Sequence, residues 1–253
     1  MSPLCNTSTL LPIGSMRRLS GLLLAVLLVF VSACSTQTPD AEEAFLERGG
    51  LVAVEAEHFS QHLASATRAW YRFDPRSEPP PVQPDGDANH AASASGASYL
   101  ELLPDTRRTH EDPLIHGENF SNEPGQLALL SYPVRFETAG RYYVWVRAYS
   151  TGTEDNGLHV GLNGHWPARG QRMQWCEGKD QWTWASKQRT EEVHCGLPGH
   201  IYLDIAEPGL HTIWFSMRED GFEFDKWILT TDPAYTPQGN GPDELREMGG
   251  ATR

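Results

Sequence analysis

The stretch Arg141-Tyr-Tyr-Val-Trp-Val-Arg-Ala-Tyr149 restricts the fold more than any other part of the chain. Tyr142, Val144, Val146 and Ala148 fall on one side of an extended backbone, so the segment reads as a strand with one buried face. The same period of two recurs. Leu127–Phe136 alternates and stops before Thr138-Ala-Gly140, and Leu158–Leu162 ends at Asn163-Gly164, a hairpin turn signal. His200–Ile205 runs through Glu207-Pro-Gly209 into Leu210–Met217. After the turn Glu219-Asp-Gly221 comes a last strand, Phe222–Leu229. Leu51–Glu55 and Tyr99–Leu103 read as short strands, and residues 74–97 and 104–125 as long loops. No segment has a convincing helical period, and no internal repeat is visible. Short strands with one buried face predict an all-β fold, an antiparallel β-sandwich or jelly roll.

The first 34 residues have a different grammar. Arg17 and Arg18 precede ten apolar residues, Leu22–Val31, and then Ser32-Ala33-Cys34. A basic region, an apolar run of that length and small residues before a cleavage point make a secretory leader. A spanning helix needs about 20 apolar residues. Val31-Ser-Ala-Cys34 resembles the lipobox of bacterial lipoproteins, which implies lipidation of Cys34 and a membrane attachment. An ordinary leader with an incidental cysteine is the alternative. Met16, directly before the arginines, is the expected start, and Ser35 suits sorting to the outer membrane. The expected plan is a signal peptide over 1–33, a lipidated tether over 34–48, a sandwich domain over 49–232 and a tail over 233–253.

The formal net charge is −13, and losing Arg17 and Arg18 with the leader makes the exported part more acidic still. Phosphate backbones need a basic face, so nucleic acid is excluded as a partner. An acidic surface suits divalent cations and neutral ligands. Cys176 and Cys195 are the cysteines left after Cys34, and an even count in an exported protein reads as a disulfide.

Val52-Ala-Val-Glu55-Ala-Glu57-His58-Phe59 opens the domain, Gly140–Arg147 lies within it, and Phe222-Glu-Phe-Asp225-Lys-Trp-Ile-Leu229 closes it. In this order and spacing the three pieces resemble the carbohydrate-binding modules of families 6 and 35, within the galactose-binding-like group. The resemblance covers roughly residues 50–232. It implies a structural calcium held by Glu55, Glu57 and Asp225. Residues i and i+2 of a strand share a face, and calcium takes six to eight hard oxygens, so the residue types suit the ion. A solvent-facing acidic edge is the alternative.

Four of the eight tryptophans, Trp166, Trp175, Trp182 and Trp184, cluster in a polar segment around Cys176. An indole offers a flat face and an N–H, which suits the C–H patches and hydroxyls of a sugar. Asn156 and its polar neighbours could supply hydrogen bonds. Trp145, Trp214 and Trp227 sit in strong strands and are expected to pack. The resemblance places a ligand cleft at one end of the sandwich, which makes Arg218, Asp220 and Glu223 candidates, with Trp70 and Tyr71 as an opposing wall. The family pattern often has asparagine before the last strand; this chain has charged residues there.

The sequence carries no Gly-x-Ser-x-Gly and no His-Glu-x-x-His. The expected function is therefore a non-catalytic lipoprotein that captures polysaccharide at the cell envelope, with polysaccharide-degrading enzymes as possible associates. Two alternatives stand beside it. One is a lyase or hydrolase, for which Arg107, Arg108, His110 and His116 in one loop leave room. The other is a structural or assembly lipoprotein that binds a protein partner.

Overall fold

A computed structural model describes residues 44–247. The leader and Cys34 lie outside the described residues. The strands are β1 (Phe45–Leu46), β2 (Leu51–Glu55), β3 (Gln61–Leu63), β4 (Ala69–Phe73), β5 (Tyr99–Leu103), β6 (Leu129–Phe136), β7 (Gly140–Tyr149), β8 (Gly157–Leu162), β9 (Met173–Gln174), β10 (Thr183–Ala185), β11 (Lys187–Gln188), β12 (Leu197–Pro198), β13 (Tyr202–Ile205), β14 (Gly209–Met217) and β15 (Glu223–Thr230). The helical pieces among the described residues are three-residue 3-10 turns.

Two sheets form the sandwich, as the alternation requires. One runs β1-β6-β14-β8-β9-β11-β12, with β3 also on β6. The other runs β10-β7-β15-β5-β4, with β13 on β7 and β2 on β15. All pairings are antiparallel except β1 with β6. Leu130, Tyr132, Val134 and Phe136 of β6 and Ile213, Phe215 and Met217 of β14 face Val144, Val146 and Ala148 of β7 across one core. Each of the Val, Leu, Ile, Phe and Met side chains among them, fully buried, contributes about 1.5–3 kcal/mol of apolar transfer.

One irregularity matters for the chemistry. The β15–β7 register slips between Phe224 and Lys226. Phe222 and Phe224 point into the core before the slip, and Trp227 and Leu229 after it. The extra residue of this bulge therefore leaves Asp225 and Lys226, consecutive in sequence, both on the outer face.

Two boundaries move from their sequence-based positions. Residues 44–48 belong to the domain rather than to a tether. Glu47 is fully buried and accepts hydrogen bonds from the backbone N–H groups of Gly50, Glu137 (2.7 Å) and Thr138 (2.9 Å). The segment after 232 is not a free tail up to 247. Leu46 N–H donates to the Leu245 carbonyl at 2.8 Å, and the Arg135 guanidinium pairs with Glu247 at 2.5 Å. Neither contact has a periodic signature, which is why the alternation missed both segments.

The expected disulfide forms between Cys176 and Cys195, with Cα atoms 5.4 Å apart. It closes a 19-residue separation, worth about 3 kcal/mol in the chain-entropy model.

Candidate functional site

On β7 the core takes Tyr142, Val144 and Val146, so parity turns Tyr143 and Trp145 to the outer face of the sheet. β10 pairs alongside, with Trp184 opposite Arg147 and Ala185 opposite Val146. The segment 233–236 folds over the same face. Together Tyr143, Trp145, Trp184, Lys187 and Tyr235 line a trough of about 240 Å³. Its aromatic side chains are all half-buried, leaving ring surface open. The Trp184 indole N–H donates to the Gly239 carbonyl at 2.9 Å, which fixes the ring. Lys187 stands at the margin, its ammonium 3.0 Å from Glu177. Flat apolar rings beside exposed hydroxyl and ammonium donors can stack on a sugar ring and bond its oxygens.

Trp145, expected to pack, instead stands with Tyr143 on the outer face, as strand parity requires. Of the tryptophans expected to bind, Trp184 lies in the trough. Trp182 packs edge-on against Tyr99 and Tyr149, with ring centroids 5.3 and 5.4 Å apart. Trp166 lies on the other sheet, close against Gly125 and Gly161. A Cβ on Gly161 would come within 2.8 Å of its ring, so only glycine allows that approach.

Five expectations are corrected by burial. Trp70 is in the core, its N–H donating to the Ala128 carbonyl at 2.8 Å. Trp175 is 2% exposed and packs on Phe222. Asn156 is buried against Gln174 and Glu219. Arg218 is buried beside Glu219 and stacks over Phe120. Asp220 has no exposed surface and accepts from Arg68 (2.8 Å) and from Thr106 N–H and Oγ1 (2.8 and 2.7 Å). None of these five presents surface to a ligand: the two indoles pack in the core, and the three polar side chains are closed into hydrogen bonds and ion pairs of their own. Tyr71 stays half-buried on the outer side of β4, opposite Glu101. Glu223 is a sixth candidate that burial corrects, 1% exposed beneath His90 at 2.7 Å. In the basic loop, Arg107 and His110 both engage Glu154, while His116 packs on Phe120.

Glu55 and Asp225 meet at Ser95, and Glu57 lies near enough to feel both charges, though it sits on the turn Ala56–His58 and not on the strand. Ser95 links two of them, donating from Oγ to Glu55 at 2.8 Å and from N to Asp225 at 2.8 Å. The bulge brings Lys226 to Glu55 at 2.7 Å and sets Asp225 against Arg147. One buried oxygen each on Glu55 and Glu57 has no partner. Burial, reinforced by Glu55 and Asp225, pushes the Glu57 carboxyl up to about 7. Burial also pushes Asp225 up to about 6, against the pull of Arg147.

The glycosyl hydrolase family 115 C-terminal domain matches residues 86–244. The chain belongs to that family. The family 115 domain thus takes in the loop after Gly86, the trough and the segment beyond residue 232. An uncharacterised protein of Formosa agariphila is 59% identical over 199 residues, covering 79% of this chain and 48% of that one. The chain therefore spans about half the length of that relative. A family 35 carbohydrate-binding module from Clostridium thermocellum has TM-score 0.39 and 18% identity, covering 71% of this chain and 98% of its own. The C-terminal family 6 module of a marine laminarinase from Zobellia galactanivorans has TM-score 0.37 and 12% identity, covering 72% and 99%.

Proposed function

We propose that this family 115 C-terminal domain is a non-catalytic glycan-binding domain, and that the aromatic trough is where it holds a polysaccharide chain. The observation that carries the reading is the convergence of Tyr143, Trp145, Trp184 and Tyr235 on one outer sheet face with their rings open. An open apolar patch rimmed by polar groups marks a binding surface. The buried carboxylates of this sheet face lie beneath the loop Asp85–Ala97, and no carboxylate lines the trough among the described residues. That arrangement favours binding over general acid/base hydrolysis.

In the same reading, lipid on Cys34 would tether the domain to the cell envelope, where it keeps polysaccharide within reach of degrading enzymes. The leader grammar alone supports this part. The partnerless oxygens of Glu55 and Glu57 support a structural calcium in this region, an ion that would have to displace Lys226 from Glu55 and compete with Arg147 for Asp225.

The test is affinity electrophoresis and calorimetry of the purified chain against a panel of soluble neutral and acidic polysaccharides. Saturable binding to at least one, abolished in W145A/W184A with the fold intact, supports the proposal. Binding to none, or unchanged binding in the double variant, would overturn it.

A further inference from the structure

A second group of carboxylates lies on the outer face of the same sheet, apart from the trough and from Glu55. Cross-strand register aligns Tyr149 of β7, Glu223 of β15, Glu101 of β5 and Tyr71 of β4 in one row. The two acids are neighbours on adjacent strands, and both are buried, each 1% exposed. The loop above adds Asp85, Asp87 and His90. One ligand atom each from Asp87, His90 and Glu223 lie within 4.8 Å of one another, and so do those of Asp85, Asp87 and Glu101.

Four carboxylates are thus gathered with little to balance them. No lysine or arginine ion-pairs with any of the four among the described residues; the one basic partner is His90, 2.7 Å from Glu223. The second oxygen of Glu223 is buried and has no hydrogen-bond partner. Like charges facing each other across a strand pair destabilise a sheet, and an unpaired buried carboxylate oxygen costs more. Burial and mutual repulsion hold Glu101 and Glu223 well above the usual carboxylate range and push Asp87 up to about 7. In contrast, the surroundings are rigid. His90 stacks on Tyr149 at 3.7 Å, and its carbonyl accepts the Trp182 indole N–H at 3.4 Å.

We propose that Asp87, His90 and Glu223 form a divalent-cation site that fastens the loop Asp85–Ala97 to the sheet, with Asp85 and Glu101 as adjoining oxygen donors. One imidazole among carboxylates suits zinc or manganese better than calcium, which prefers an all-oxygen shell. Binding would displace the proton that His90 Nδ1 and Glu223 now share, and that proton would leave to solvent. The ion would supply the positive charge that the row lacks, without requiring a basic side chain.

The experiment is metal analysis and calorimetry of the full chain, stripped with chelator and then titrated separately with ZnCl2, MnCl2 and CaCl2. Zinc or manganese should bind with one more tight equivalent in wild type than in H90Q or D87N, since each substitution weakens this site at least about tenfold and takes it out of the tight-binding range. Both side chains lie in the covering loop and keep some exposure, and both replacements are close in shape, so they threaten folding less than E223Q at the fully buried strand position. D204N, at an exposed pair on β13, should bind as wild type does. Equal stoichiometry in H90Q and wild type would overturn the site. Calcium binding there without zinc or manganese would overturn the ion class.

Discussion

Glu101 and Glu223 face each other on β5 and β15, on the side of the sheet away from the core. Both are buried, and burial raises both carboxyls well above their ordinary range. A sheet does not place two acids there for stability, since directly opposed like charges destabilise a strand pair. Glu101→Gln should therefore stabilise the chelator-treated chain at pH 8 by about 1 kcal/mol, a rise of about 2–4 °C in Tm. In saturating zinc the same substitution should cost stability. Differential scanning calorimetry in both buffers reads the change of sign, and a variant that is less stable in chelator would contradict it.

The trough and the core tryptophans should separate cleanly. W184A and W145A should each weaken polysaccharide binding by about tenfold or more, with little change in Tm, because their rings are half-exposed. W70A and W175A should lower stability by about 3–5 kcal/mol, since each leaves a cavity, while the folded fraction keeps its affinity. Calorimetric titration alongside urea denaturation checks both halves.

His159 carries a pH dependence of definite sign. Its Nδ1 accepts from the Arg172 N–H at 3.1 Å, so Nε2 bears the proton and donates to the Ser121 carbonyl at 3.1 Å. Burial, with Arg218 and Arg172 nearby, lowers its pKa from 6.5 to about 4. As pH falls, the unfolded chain takes up the proton first. The stability due to neutral His159 is complete above pH 6.5 and is lost on the way down to about pH 4. The stability gap between wild type and H159Q should shrink across that window, and the His159 ring should keep its Nε2–H tautomer by NMR until near its lower end.

Arg68 and Asp220 form an ion pair whose side chains are 2% and 0% exposed. Removing the cation strands a buried carboxylate, so R68A should destabilise by about 3–5 kcal/mol. R141A breaks the exposed pair with Asp204 and should leave the denaturation midpoint nearly unchanged. Equal effects in chemical denaturation would contradict the burial argument.

Much of the domain was legible before any coordinates. Side-chain parity is a local property, so Tyr142, Val144 and Val146 announced a strand and its buried face without knowledge of a partner. The same parity turns Trp145 outward, away from the core. Pairing of Cys176 with Cys195 followed from there being no other choice in the domain. The convergence of Glu55, Glu57 and Asp225 was available through resemblance.

What parity cannot supply is register between strands far apart in sequence. That Glu223 stands opposite Glu101, that Asp225 occupies a bulge, and that Glu47 and Glu247 tie both ends into the sheet are decided by non-local contacts. Burial likewise depends on which loop covers a residue, so Arg218 and Asp220 read as a polar turn and fold as a closed ion network. The sequence by itself determined the alternating strands, their inward faces and the disulfide, because period two and cysteine count are carried by neighbours along the chain; β4 and the short strands β1, β3 and β9–β12 carry no such signal. The tertiary structure alone decided which acids meet and which aromatics stay open, because those depend on the alignment of distant segments across a shared core.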